Sequence, residues 1–185
     1  MSVPALALAP WESTVRDTQW LSDEMDGIWR RYFADTPRVN TVEVAFRRPW
    51  MRRLGVISLS EDEQTTRIGV NSLLAHGDVP YCLTLITVAH ELVHYCHGFG
   101  SPLPRKYPHP HRGGIVNREL MARGLARELD EYVQWIQQHW WSFYARQQRP
   151  SLRPRDAGDA EGRPEARGTR RVGRRHGDAE SAGPT

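Results

Sequence analysis

The spacing of apolar residues predicts one amphipathic helix and three short strands in the first part of the chain. From residue 12 to residue 33, apolar side chains recur at the spacing of a buried helix face. This face consists of Leu21, Met25, Ile28 and Tyr32. Residues 41–46 alternate apolar with polar, which is typical of a half-buried strand, and 54–59 and 65–71 predict two more. Because the links between strands are too short for crossover helices, we expect a three-stranded, mainly antiparallel sheet.

Two further helices are predicted in the second half. Residues 79–97 are apolar almost all round, so we expect a helix buried in the core. A loop with four prolines follows at 101–110, and 114–144 predict one long last helix with an apolar face. Helices beside a small antiparallel sheet indicate the α+β class.

The end of the chain differs in composition from the rest. Residues 150–185 contain no Ile, Phe, Trp, Tyr or Met, so they cannot bury enough apolar surface to offset the entropy of ordering. We therefore expect a flexible terminus at 1–11, one α+β domain at 12–149 and a disordered tail at 150–185.

Charge follows the same division. The chain has 25 Lys and Arg against 22 Asp and Glu, but residues 1–144 hold 15 against 16 and residues 145–185 hold 10 against 6. A nearly neutral domain gives no support to a nucleic-acid surface spread over it. The arginines at positions 170, 171, 174 and 175 form a basic cluster that could attract nucleic acid, or simply keep the tail solvated.

Several locations are disfavoured. The most apolar stretch, 79–93, contains His90 and Glu91 and is too short and polar to span a membrane. The first ten residues lack the basic region of a secretory signal. If Cys82 and Cys96 share one helix, they lie about 21 Å apart and cannot form a disulfide. We expect two buried thiols in a reducing compartment, hence a cytoplasmic protein without membrane contact.

The candidate chemistry lies on the buried helix, in the segment His90-Glu91-Leu92-Val93-His94. Histidines at i and i+4 occupy one helical face, so both imidazoles can converge on one ion, and Zn²⁺ suits neutral imidazole ligands. Glu91 projects about 100° away, where it can hold and deprotonate a water molecule. An unpaired imidazole pair and a carboxylate would be costly in such an apolar helix without a metal.

A catalytic tetrahedral site needs a third protein ligand and an open fourth position. The candidates are His97, His109, His111 and Glu119. His97 lies about 10.5 Å along the helix from His90, too far to share one ion on a straight helix. Glu119 would supply a carboxylate from a following helix, whereas His111 precedes that helix and could reach across from the loop. The sequence leaves Glu119 as the alternative to His111.

The order of these features resembles the SprT-like zinc metalloproteases, the Spartan-related HExxH zincins. A helix, a strand with Val42-Glu43-Val44, an arginine-rich turn ending in Leu54-Gly55 and a strand with Ile68-Gly69-Val70-Asn71 precede the HExxH segment. The resemblance implies a small zincin-like domain, zinc held by His90, His94 and His111, and Glu91 as general base. It also implies proteolysis of DNA-associated proteins. The chain's two cysteines do not supply the zinc ribbon that many relatives carry at the C-terminal side.

Two functions remain from the sequence. The first is a zinc-dependent endopeptidase whose partner is a protein or peptide substrate. The alternative is a non-catalytic, zinc-stabilised module that binds protein or DNA, which would require a metal closed by four protein ligands. Oligomeric state is not indicated by any pattern in the chain.

Overall fold

In the computed structural model, which describes residues 15–148, helix α1 (Thr18–Tyr32) begins at a capping aspartate. Asp17 accepts a hydrogen bond from the backbone N–H of Trp20 at 2.8 Å, which satisfies one free donor of the first turn. Leu21, Met25 and Ile28 are buried as the spacing predicted, and Tyr32 is half-buried. The helix begins six residues later than residue 12.

The sheet consists of β1 (Thr41–Arg47), β2 (Gly55–Leu59) and β3 (Thr65–Asn71), in the order β1-β3-β2. β3 pairs antiparallel with β2 but parallel with β1. The prediction of a mainly antiparallel sheet is therefore wrong for one of the two pairings. Each short link does reverse the direction of the chain. However, β1 and β2 are not neighbours in the sheet, because β3 lies between them. The first and third strands then become parallel neighbours.

Helix α2 (Tyr81–Cys96) lies at the centre of the fold and confirms the predicted buried helix. It follows a short 3-10 turn (Ser72–Ala75) and contacts α1, β2, β3 and the helices after it. Fourteen of its sixteen residues are buried, so its position is fixed from all sides. Gly98 follows with φ +76°, a left-handed conformation that ends the helix.

The predicted long last helix is interrupted. A 3-10 turn (Arg112–Gly114) leads into α3 (Ile115–Ala122), and Gly124, with φ +87°, separates α3 from α4 (Ala126–Trp135). A π-helical turn (Ile136–Trp140) then joins α4 to α5 (Trp141–Gln147). The single helix over 114–144 was wrong because Gly124 adopts a backbone conformation that no right-handed helix contains. The break lets α3 and α4 pack separately on α2.

Three expectations concern residues beyond this description. The flexible terminus at 1–11, the disordered tail at 150–185 and its arginine cluster all lie outside residues 15–148. Within 15–148, none of the helices combines the length and apolarity needed to cross a bilayer. The described residues are thus an α+β unit in which α2 packs between the sheet and the other helices.

Candidate metal centre and active site

The last two turns of α2 bring the two motif histidines together. His90 and His94 point their Nε2 atoms at each other across 3.1 Å, because residues four apart on a helix lie one above the other. The ring of His94 is buried, at 5% exposure, and that of His90 is partly buried. Both side chains come from the most tightly packed helix, so their positions are set by the core.

His111 reaches this pair from the loop before α3. It directly precedes the 3-10 turn, and its ring lies 5.4 Å from that of His90 and 4.6 Å from that of His94, between centroids. One ligand nitrogen from each histidine falls within 4.8 Å of the others. The structure therefore brings together His90, His94 and His111 as a group that could hold a metal ion.

The donor set fits a zinc-type ion. Two imidazole nitrogens on one tetrahedral Zn²⁺ are about 3.3 Å apart, close to the 3.1 Å between the Nε2 atoms of His90 and His94. The three ligand atoms lie within 4.8 Å of one another, and the third comes from His111, whose side chain is exposed. Nδ1 of His94, on the side of the ring away from this pair, is buried without a hydrogen-bond partner in residues 15–148.

Burial also prepares both rings as ligands. It lowers the pKa of His90 to about 4, with the neighbouring His111 adding a smaller effect. It lowers the pKa of His94 to about 3, with His90 and His111 contributing in the same direction. A metal competes with protons for the ring nitrogens, so neutral imidazoles at physiological pH favour metal binding.

Glu91 lies beside the histidine group in the wall of a cavity. Its side chain is 5% exposed, and burial raises the pKa of its carboxyl to about 8, with the charge of Arg53 opposing this shift. The carboxylate lies against Gly55 at the start of β2, and the side chain of Thr87, one turn earlier on α2, lies beside the same glycine. A carboxyl group held in this environment can exchange a proton near neutral pH.

The cavity has a volume of about 530 Å³, a size typical of ligand sites. Its walls come from β2, from α2, from the loops on both sides of the proline-rich segment, and from α4. His90, Glu91, His94 and His111 all line it. A substrate in this cavity would therefore meet the histidine group and the carboxylate together.

The other candidate ligands lie elsewhere. Glu119 binds Arg123 at 2.8 Å and places its second oxygen 3.8 Å from Nε2 of His97. His97 itself is 1% exposed and packs on the ring of Tyr107. His109 is exposed and is not part of the histidine group. The alternative third ligand, Glu119, therefore belongs to a separate cluster that joins α3 to the end of α2.

Sequence reasoning missed several residues of the cavity wall. Arg52, Arg53 and Gly55 line it from the β1–β2 link and the start of β2, and Tyr132 lines it from α4. Burial, with a contribution from the charge of Glu91, raises the pKa of Tyr132 to about 12. In the sequence, Tyr132 was visible only as a residue on the apolar face of the long last helix predicted over 114–144. The arginine-rich turn was visible in the sequence, but nothing there indicated that it faces α2.

Comparison of the chain with protein-family models, curated proteins and solved structures gives no match. The function must therefore be argued from the arrangement of these side chains.

Proposed function

We propose that this chain is a zinc-dependent metalloendopeptidase in which His90, His94 and His111 hold Zn²⁺ and Glu91 is the general base. One observation carries the proposal: three histidines able to share an ion and a buried carboxylate line a single cavity. A purely structural metal site has no use for a carboxylate between its two helical ligands. The proposal includes the zincin-like character of the fold and the resemblance to the SprT-like family.

The metal held by the three histidines and the carboxylate of Glu91 have different roles in peptide hydrolysis. Bound zinc supplies Lewis acidity, which makes water a nucleophile near neutral pH and polarises a carbonyl. Glu91 accepts the proton of the attacking water on a carboxylate oxygen and delivers it to the leaving amine nitrogen.

The alternative, a non-catalytic zinc-stabilised module for protein or DNA, would need a closed metal shell. Structural zinc sites are normally closed by four protein ligands and favour cysteine. Across residues 15–148, His, Cys, Asp and Glu side chains add no fourth member to the histidine group, and both cysteines are buried elsewhere in α2. Three protein ligands facing a cavity favour an open coordination position, and hence catalysis.

Replacing Glu91 with Gln tests the catalytic role. The amide keeps the shape of the side chain but cannot accept a proton as a base. We expect Glu91→Gln to bind zinc in the parent's stoichiometry, measured by metal analysis after gel filtration. Its hydrolysis of an unfolded protein should fall by at least about 10²-fold, the lower range for general-base catalysis. Equal activity in the parent and this variant would end the proposal.

The third ligand is tested by zinc titration. His111→Ala should weaken zinc binding strongly, because two imidazoles from one helix leave the ion poorly held. Glu119→Gln and His109→Ala are the matched controls, since both residues lie outside the group. If His111→Ala keeps the parent's zinc affinity, His111 is not the third ligand. If Glu119→Gln stays folded but loses zinc affinity, the third ligand is Glu119 instead.

The partner in this proposal is a protein or peptide, and the site of action is the cytoplasm, as the thiols suggested. Binding of nucleic acid is confined to the arginine cluster of the tail. Removing residues 150–185 and measuring affinity for duplex DNA at moderate salt tests that part on its own. An unchanged affinity would remove nucleic acid from the proposal and leave the peptidase untouched.

A further inference from the structure

Two arginines of the candidate active-site cavity form no ion pair with a carboxylate of residues 15–148. Arg52 and Arg53 line the cavity next to Glu91, and both are exposed. In the described part of the chain, no Asp or Glu oxygen lies within 4.0 Å of either guanidinium. Some other arginines are engaged, as in the pairs that Arg38 and Arg123 form with aspartates. The charge of Arg52 and Arg53 is therefore available to a ligand.

The fold holds the β1–β2 link that carries these arginines in place. The buried side chain of Asn71 donates to the carbonyl oxygens of Trp50 at 2.7 Å and Arg53 at 3.0 Å. The indole N–H of Trp140 donates to the carbonyl oxygen of Met51 at 2.8 Å. Three carbonyl groups of the link are thus tied to the core, while the arginine side chains line the cavity.

The wall of this cavity carries more basic than acidic side chains. Residues 15–148 contain 16 Lys and Arg against 15 Asp and Glu, so the described part is nearly neutral. Arg105 lies over the ring of Phe99, another residue of the cavity wall, at 4.8 Å from its centroid. Arg112 follows the candidate ligand His111 directly. Among the residues that the structure describes, Glu91 is the one carboxylate that lines the cavity, and it is buried in the wall.

We propose that Arg52 and Arg53 select peptide substrates that carry an Asp or Glu side chain near the bond to be cleaved. This proposal rests on the proposed peptidase function and names its substrate class. Guanidinium groups bind carboxylates through paired, charge-assisted hydrogen bonds. A peptide fits better than nucleic acid, because the cavity is partly apolar, with Val56, Ile57 and Phe99 in its walls. A duplex would instead require a broad basic surface.

Matched peptides test this selection on the zinc-loaded full chain. A single Glu is moved one position at a time through an otherwise uncharged, internally quenched peptide, and each peptide is paired with its Gln counterpart. We expect at least one position where Glu raises kcat/KM by about tenfold over Gln, mainly through a lower KM. In the double variant Arg52→Gln/Arg53→Gln this ratio should fall to near one.

Arg48→Gln is the matched control, because it removes an exposed arginine of the same link that does not line the cavity. It should keep the parent's Glu-to-Gln ratio. Equal cleavage of every peptide pair by the parent, or a ratio that survives in the double variant, would overturn the proposal. Both results would leave the peptidase function standing, since hydrolysis itself is still observed.

A binding measurement separates the two proposals if hydrolysis is absent. Zinc-loaded Glu91→Gln protein is titrated with the same peptides, labelled with a fluorophore, and anisotropy gives the affinities. A preference for Glu over Gln that disappears when Arg52 and Arg53 are replaced supports acidic-ligand recognition even if the peptidase proposal fails. No preference overturns it. An oligonucleotide that binds through these arginines, while the peptide pairs are not distinguished, would also overturn it in favour of nucleic acid.

Discussion

Adding one methyl group at Gly55 should disable the candidate general base without touching the metal ligands. A Cβ at this position would lie 2.9 Å from Cγ2 of Thr87 and 3.1 Å from Cδ of Glu91, with a carboxylate oxygen nearer still. Carbon atoms in favourable contact are about 3.5 to 4.0 Å apart. The change Gly55→Ala therefore creates an overlap of about 0.5 to 1 Å.

The overlap should be relieved mainly by Glu91. Thr87 is buried in α2, and its β-branched side chain has little rotamer freedom in a helix. The Glu91 carboxyl group is at the end of a longer side chain beside a cavity, so it can move away from β2 by about 1 Å. A displacement of this size from catalytic geometry costs about 10²-fold in rate. We expect kcat to fall by that factor, with a loss of about 1 kcal/mol in the free energy of unfolding, at the lower end for overpacking.

The measurement combines peptide hydrolysis, zinc content and urea unfolding on the full chain. Gly77→Ala is the control, because a Cβ there meets no atom within 4 Å and should leave kcat unchanged. If Gly55→Ala keeps the parent's kcat, then Glu91 does not act as the general base in the position that it occupies beside Gly55. If the variant loses zinc, the cavity wall supports the histidines rather than the carboxylate.

Three further predictions concern stability. Gly27→Ala, in the middle of α1 with open space around its Cβ, should raise the free energy of unfolding by about 0.5 to 1 kcal/mol in urea titrations. Arg123→Met removes hydrogen bonds to the carbonyl oxygen of Tyr32 and to a carboxylate, and should cost about 2 to 3 kcal/mol of unfolding free energy. Arg127→Met, at an exposed pair, should leave the free energy of unfolding nearly unchanged. Burial holds the pKa of His97 below its usual value, with Glu119 opposing, so the unfolded chain binds the proton first. Acidification from pH 7.5 to below about 6.5 should therefore destabilise the parent more than His97→Asn, and equal pH profiles would refute this.

The pairing of His90 with His94 could be predicted because it depends only on helix geometry. An i, i+4 spacing places two side chains together wherever the segment is helical, and the apolar sequence around it made the helix certain to be buried. The third partner depends on tertiary structure. His111 directly precedes the turn before α3, and Glu119 lies within α3. The orientation of α3 therefore decides which of the two side chains faces the histidine pair. Arg123 binds Glu119 toward the end of α2, which leaves the loop residue His111 to approach the pair.

The same limit applies to the sheet and the cavity. Strand positions follow from alternation of apolar residues, but strand order does not, because β3 pairs with both neighbours through its backbone. That order makes β2 the strand beside α2, and so brings Gly55 and the two arginines before it against Glu91. Had β2 lain between β1 and β3, the arginine-rich link would not occupy its present position at this sheet edge. The proposed substrate selection thus depends on a long-range pairing that no local pattern in the chain encodes.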